Sequence, residues 1–255
     1  MGHGGSGARI LKCDDGREYV AKLPHPPWPK MLPNELLAAE LGVRLLCPMP
    51  EHAIILLSQA FLDVSPTVKA RCPSACAVFG TVFLSEAFDL VDCKSRGIVP
   101  ERVEIENEAD LPRAVVFDNW VLNGDRNNDG NNLLVRSSRS PERWKYYMMD
   151  HGHILGGPTW DGPKLDALAD TQTLQGYPGF FRDRIRGVSP FDAILALLEA
   201  FPGEDLNRVC DLLPIDWGVN PGDRDAVRKL LDRRRNMVRQ VLERNRGRFP
   251  KWGWF

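Results

Sequence analysis

Long apolar runs are missing from this sequence of 255 residues. An apolar segment such as 53–57 is only strand-sized, whereas a bilayer-spanning helix needs ~20 apolar residues. The basic, apolar and small-residue series of a secretion signal does not open the chain either. These absences exclude a membrane-spanning class and favour a cytoplasmic protein over a secreted one.

Closely spaced cysteines are also scarce. Of the six cysteines only Cys72 and Cys76 lie near each other, and no second pair completes a zinc site. We therefore expect reduced thiols, as is usual for a cytoplasmic protein.

Charge of one sign does not dominate, but it is unevenly distributed. Residues 221–255 carry 11 Lys and Arg against four Asp and Glu, whereas the rest of the chain carries 22 against 30. Such a basic end could attract nucleic acid or acidic lipid. Because its charges alternate with regularly spaced Val and Leu, a solvated helix face is favoured, and a nucleic-acid partner is not expected.

The residue patterns indicate an α+β protein with two lobes. Strand-like segments flank the turn sequence Asp14-Asp15-Gly16, and a proline-rich stretch then leads to Asn34, which is expected to cap a helix from Glu35 to about Leu45. This places a small β-rich N-lobe at 1–86 and a larger helical C-lobe at 87–255. The remaining predicted strands are 53–57, 75–84, 132–135 and 144–149, and the remaining helices are 109–122, 190–201, 204–213 and one long helix over 223–245.

Two polar clusters stand out in the predicted C-lobe. The loop 123–132 is dense in Asn, Asp and Gly, and Asp150-His151-Gly152 follows the next strand. A hairpin between them would bring Asp125, an asparagine and Asp150 to one end. Phosphoryl transfer uses such a set, with one carboxylate to receive the hydroxyl proton and oxygen ligands for Mg²⁺. Alternatively, the loop residues could merely satisfy turns, or His151 and His153 could form a weak metal pair.

The predicted N-lobe offers complementary groups. Lys22 lies late in a strand, where a phosphate-pairing lysine is found in kinases. Glu35 in the following helix could form an ion pair with it, and Glu40 is the second choice. The glycine-rich segment 2–7, which includes Gly5 and Ser6, could cover phosphates or could be a frayed terminus.

Taken together, these motifs resemble the HipA-like kinase family, which belongs to the protein-kinase-like fold along with phosphatidylinositol 3- and 4-kinases. The resemblance runs from about residue 8 to 155. Beyond it, the remainder of the chain resembles the family only in being helical. Four segments carry it, in the expected order: 18–24, 34–50, 117–134 and 149–152.

The resemblance implies a role for each matching residue. Lys22 would contact ATP phosphates, Glu35 would brace it and Asp125 would be the catalytic base. Asn132 and Asp150 would bind magnesium. The hinge, residues 83–86, would meet adenine through its backbone; it includes Phe83 and Ser85.

One departure from the kinase pattern concerns the metal ligand. The metal-binding asparagine usually follows the catalytic aspartate by five residues, but Gly130 occupies that position here. Asn131 and Asn132 come six and seven residues after Asp125. Asn132 is favoured because it directly precedes the apolar strand, although the choice between them stays open.

The first functional hypothesis is an ATP- and Mg²⁺-dependent kinase acting on a protein hydroxyl. The resemblance implies this substrate class, since HipA proteins are toxins that phosphorylate serine in translation factors or in themselves, and it also raises a cognate antitoxin as a partner. A second hypothesis keeps the ATP site but makes the acceptor a small molecule or a lipid headgroup, with the basic tail on an anionic membrane. A third is an ATP-binding pseudokinase that regulates a partner.

Overall fold

The structure, a computed structural model, describes residues 7–95, 97–99, 102–127, 132–136, 143–176, 179 and 183–253. The side chains of residues 94, 127, 132 and 133 lie outside this description. Among the described residues, both sheets lie within the first 150 positions and helices dominate the remainder. The expected α+β architecture is confirmed.

The first sheet contains four antiparallel strands in the order β1-β2-β4-β3. The predicted hairpin is present, with β1 (Arg9–Lys12) paired to β2 (Glu18–Lys22). Gly16 has a φ of +80° in the turn between them, a conformation that glycine adopts without strain. The other two strands are β3 (His52–Leu57) and β4 (Cys76–Val82).

Helix α1 (Met31–Arg44) connects β2 to β3 and begins earlier than predicted. Lys30 is its N-cap residue, and Pro33 lies in the first turn, where the missing N–H costs little. Asn34 is therefore inside the helix, so the prediction that it caps the helix was wrong. Its buried amide makes tertiary hydrogen bonds instead. Two short helices, α2 (Gln59–Asp63) and α3 (Pro66–Lys69), follow β3.

The second sheet has the strand order β5-β7-β8-β6. The predicted hairpin is confirmed, with β7 (Asn132–Arg136) antiparallel to β8 (Arg143–Met148). Asn132 lies opposite Met148, two residues before Asp150. The sequence pattern did not predict β5 (Ala87–Asp89) or β6 (Glu104–Ile105), because a strand of two or three residues is too short to show the alternation of apolar and polar residues.

The helices predicted at 190–201 and 204–213 are present, whereas the helix Gly162–Leu168 was not predicted. The predicted helix over 223–245 is two helices, because the N–H of Met237 bonds to the carbonyl of Arg234 in a tighter turn. The helices are α4 (Leu90–Ser95), α5 (Leu111–Val121), α6 (Gly162–Leu168), α7 (Asp192–Glu199), α8 (Gly203–Asp211), α9 (Pro221–Arg235) and α10 (Val238–Arg244).

One large hydrophobic core joins α1 to the C-terminal helices. Leu36 and Leu41 of α1 belong to the same buried cluster as Trp120, Leu206 and Leu230. A smaller cluster, which includes Leu23, Leu57 and Val78, lies elsewhere against the first sheet. The first sheet ends at Val82 and the second begins at Ala87. The main hydrophobic core contains residues from both sides of this boundary.

The basic end of the chain pairs with acidic residues from earlier segments. Arg228 Nη2 lies 3.4 Å from Asp211 Oδ1, and Arg239 Nε lies 2.8 Å from Glu199 Oε1. Arg233 makes a comparable contact with Asp170. Part of the positive charge of residues 221–255 is therefore paired within the fold. Within the described parts of the chain, no helix has the length and apolarity to cross a membrane.

Candidate active site

Lys22, at the end of β2, is the centre of a charged cluster. Its side chain is only 10% exposed, and its Nζ contacts Glu35 and lies 2.5 Å from Asp150 Oδ1. Glu40, the second candidate partner, instead lies 3.0 Å from the Nε2 of His52. The structure therefore brings Lys22, Glu35 and Asp150 together and leaves Glu40 outside the cluster.

The three charges set each other's protonation. Burial alone would lower the pKa of Lys22, but the carboxylates of Asp150 and Glu35 raise it above its ordinary value. The Lys22 ammonium holds the pKa of Asp150 below its usual range despite burial. Burial raises the pKa of Glu35, and the attraction of Lys22 opposes that rise. Lys22 is thus cationic and Asp150 anionic at neutral pH.

Close packing against α1 places the Asp-His-Gly segment. Asp150 has a φ of +58°, a left-handed conformation that few side-chain-bearing residues adopt. A Cβ on Gly152 would lie 2.8 Å from Cγ of Met31 and 3.2 Å from Oε1 of Glu35, so any larger residue would have to displace these side chains. The amide of Asn34 donates to the carbonyl of Gly152 at 2.8 Å. These contacts fix Asp150 relative to α1.

Asp125 lies in a 3₁₀ turn, Gly124–Asn127, that a buried arginine attaches to the Asp150 segment. Asp125 is exposed, whereas Arg126 is fully buried. Arg126 Nη1 donates to the carbonyl of Met149 at 3.2 Å, and Nη2 lies 2.6 Å from Nε2 of His151. Because Met149 and His151 flank Asp150, the loop that carries Asp125 is held beside it.

Sequence reasoning missed the structural importance of Arg126. Its Nε lies 2.6 Å from Oδ2 of the buried Asp118 on α5. Burial and the positive charge of Arg126 keep the pKa of His151 well below its usual value, so this histidine is neutral and accepts from the guanidinium. An arginine in a polar loop ordinarily points to solvent, so only the tertiary structure reveals this role.

A cleft between the two sheets opens onto Lys22 and Asp150. Phe83 lines it, but its N–H donates to the carbonyl of Glu18 at 2.8 Å. Of the predicted hinge, residues 83–86, Phe83, Leu84 and Glu86 line the cleft, whereas Ser85 is exposed and lies outside the lining. Apart from the charged cluster, the hinge residues and His151, the residues that line the cleft are mostly apolar: Val20, Ala39, Met49, Pro50, Phe79, Thr81, Val82, Ala87, Met148 and Met149.

A further carboxylate, Asp89, lies on β5 close to Asp150. Burial, together with the charges of Asp92 and Asp150, raises the pKa of Asp89 to about 6. In the pairing of β5 with β7, Asp89 lies opposite Leu133, the residue after Asn132. Three neighbouring strands therefore bring Asp89, Asn132 and the Asp150 segment to adjacent positions. The sequence did not single out Asp89 because β5 was not predicted.

The donor set suits a hard divalent cation. The Asp150 carboxylate is ionised and its side chain is 36% exposed, so it can reach a cation in the cleft. The main chain of Asn132 is nearby, but its side chain lies outside the described residues, as do Asn131, Gly5 and Ser6. Their predicted roles stay predictions. The described residues contain no cluster of three or more His, Cys, Asp or Glu side chains that would form a metal site by themselves.

Comparisons with known proteins identify the family and the fold. The chain is similar to a Helicobacter pylori proinflammatory kinase, CtkA, whose crystal structure superposes with a TM-score of 0.60 at 14% sequence identity, covering 96% of this chain and 94% of that one. That likeness shows a shared kinase fold. No match is found among curated proteins. The sequence model of the HipA-like kinase family matches residues 1–155. The chain therefore belongs to the HipA-like kinase family.

Proposed function

We propose that this kinase uses ATP and Mg²⁺ to phosphorylate a serine or threonine hydroxyl of a protein. The observation that carries the proposal is the buried Lys22 held between Glu35 and Asp150 at the cleft. A lysine so placed can bind phosphate, with one carboxylate to orient it and a second to bind the metal.

Lys22 binds the nucleotide phosphates, and Glu35 holds Lys22 in place. Because its pKa is raised, Lys22 keeps its positive charge at neutral pH and can bind phosphate oxygens. Glu35 keeps the ammonium at the cleft when phosphate replaces Asp150 as its second partner. Asp150 then has its carboxylate oxygens available for a cation.

Asp150 and an asparagine, Asn132 or Asn131, would hold Mg²⁺. The ion would supply positive charge beside the phosphate oxygens. The residues of this chain fix where that charge lies. Arg126 and Gly152 contribute indirectly, since they hold the backbone on either side of Asp150.

Asp125 acts on the acceptor. It orients the acceptor hydroxyl, and its carboxylate receives the hydroxyl proton. The acceptor oxygen forms a bond to the γ-phosphorus while the bond from that phosphorus to the bridging oxygen of ADP breaks. The exposure of Asp125 leaves it accessible to a large acceptor such as a protein side chain.

The paired basic tail supports a protein acceptor over a lipid headgroup. Several tail arginines already face Asp or Glu of the same chain, so less positive charge is available for an anionic membrane. The family resemblance supports a toxin that acts on translation factors or on itself, and a cognate antitoxin as its partner.

The test is transfer of ³²P from [γ-³²P]ATP with Mg²⁺ in the wild type, Asp125→Asn and Asp150→Asn. The acceptors are the kinase itself, a lysate protein fraction, phosphatidylinositol vesicles and a metabolite mixture. We expect label on serine or threonine of protein, and a loss of about 10³-fold in each variant with unchanged circular dichroism.

Asp166→Asn, which changes an exposed aspartate on α6, is the matched control and should keep wild-type transfer. Full activity in both site variants would overturn the proposal. Label on lipid or metabolite alone would replace the protein acceptor. Tight Mg·ATP binding without transfer to any acceptor would indicate a pseudokinase.

A further inference from the structure

Helix α1 is covered by the C-terminal part of its own chain. Eleven of its 14 residues are buried, and apolar side chains lie on almost every face. A helix packed against a sheet alone would keep a broad polar face. The additional cover comes partly from residues 203–223, here called the brace. The brace contains α8, a 3₁₀ turn and the start of α9. Of these elements, α8 packs on α1.

Lys30 connects the N-terminus of α1 to the brace. Its Nζ lies 2.5 Å from the carbonyl oxygen of Gly218 and 2.9 Å from Oδ2 of Asp223, and 4.6 Å from the ring centre of Trp160. The Lys30 and Asp223 side chains are only 12% and 13% exposed. The Asp223 carboxylate also closes the capping box at the start of α9. The two helix starts are therefore joined by a largely desolvated ion pair.

Trp217 connects the brace to the first sheet. Its indole N–H donates to the carbonyl of Ala77 on β4 at 3.0 Å, and the side chain is largely buried. β2 ends with Lys22 opposite Phe79, so Ala77 lies beyond the β2 pairing. The brace thus contacts both the helix that carries Glu35 and the sheet that carries Lys22.

We propose that the brace holds α1 against the sheet, so that Lys30 and Trp217 are positioning residues for the pair formed by Lys22 and Glu35. Glu35 lies little more than one turn after Lys30, so a shift of the helix start would move its carboxylate. The contact that fixes α1 then comes from the brace, a segment of the same chain. The catalytic consequence rests on the proposed function, whereas the mechanical claim does not.

The mechanical claim is tested by hydrogen exchange of the nucleotide-free protein in Lys30→Met and Trp217→Phe. We expect α1 amides to exchange about ten-fold faster in Lys30→Met and several-fold faster in Trp217→Phe, whereas exchange in β7 and β8 stays unchanged. The effect of Lys30→Met is larger because it removes a hydrogen bond between charged groups, whereas Trp217→Phe removes a neutral hydrogen bond. Lys30→Arg should restore protection. Lys229→Met, on the exposed surface of α9, is the matched control.

The catalytic consequence is tested by the affinity for Mg·AMP-PNP and by kcat/KM for ATP. We expect Lys30→Met to weaken both about ten-fold, and to have little further effect when Glu35→Gln is already present, because Lys30 acts through Glu35. Unchanged α1 exchange, or acceleration spread equally over all elements, would overturn the brace. Faster α1 exchange in a protein whose wild type neither binds nucleotide nor transfers phosphate would leave the brace intact and refute the proposed function.

Discussion

At the residue scale, helix geometry explains why one of two glutamates partners Lys22. Glu35 and Glu40 are five positions apart on α1, which separates their directions by roughly 140°. Only one can face β2, and the structure places Glu35 there, while Glu40 contacts His52. The sequence favours Glu35 and keeps Glu40 as the second choice, because the sequence alone does not fix which face of the helix meets β2.

Replacing each glutamate by glutamine separates their roles. Glu35→Gln removes the charge that orients Lys22 while keeping the side-chain size, so kcat/KM for ATP should fall by about 10- to 100-fold. Glu40→Gln is the matched control and should change kcat/KM less than about three-fold. Steady-state kinetics measure both, and an equal loss in the two variants would contradict the assignment.

At the element scale, turn chemistry and period predicted much of the fold. The β1–β2 and β7–β8 hairpins follow from turn residues and strand-like runs, and these hairpins place Lys22 and Asp150. The roles of Asn34 and Arg126 could not be predicted, because the carbonyls of Gly152 and Met149 that they bind lie more than twenty residues away, and the sequence does not distinguish a buried polar residue from a solvated one.

The contact between α1 and the Asp-His-Gly segment leads to a stability prediction. Gly152→Ala adds a methyl group 2.8 Å from Cγ of Met31, so the free energy of unfolding should fall by about 1–3 kcal/mol and transfer activity should fall with it. Urea titration measures the stability. Gly203→Ala, where nothing lies within 4 Å of the new methyl, should stay within about 0.5 kcal/mol of wild type. Equal stability of the two variants would show that α1 and this segment are not tightly packed.

At the scale of the whole molecule, the shared core and the paired charges argue against a separable basic tail. The family resemblance ends near residue 155, yet Leu206 and Leu230 beyond it share a core with α1. The sequence could not reveal this, because apolar periodicity identifies buried faces without identifying what covers them. The predicted division at residue 86 stays a prediction.

Pairing of the tail predicts weak membrane association. Co-sedimentation with vesicles containing 20% phosphatidylserine should recover less than about a tenth of the protein at 0.15 M salt, since several of the tail arginines face acidic side chains. Substantial binding that disappears in Arg233→Gln would contradict this and favour a lipid acceptor.

The most direct test of the central claim is a crystal structure of the chain with Mg²⁺ and AMP-PNP. The account predicts the phosphates within hydrogen-bond distance of Lys22 Nζ, Glu35 still beside that lysine, and the cation bound by the Asp150 carboxylate, with Asp125 facing the γ-phosphate. A nucleotide bound away from this cleft, or a cation that does not touch Asp150, would contradict it.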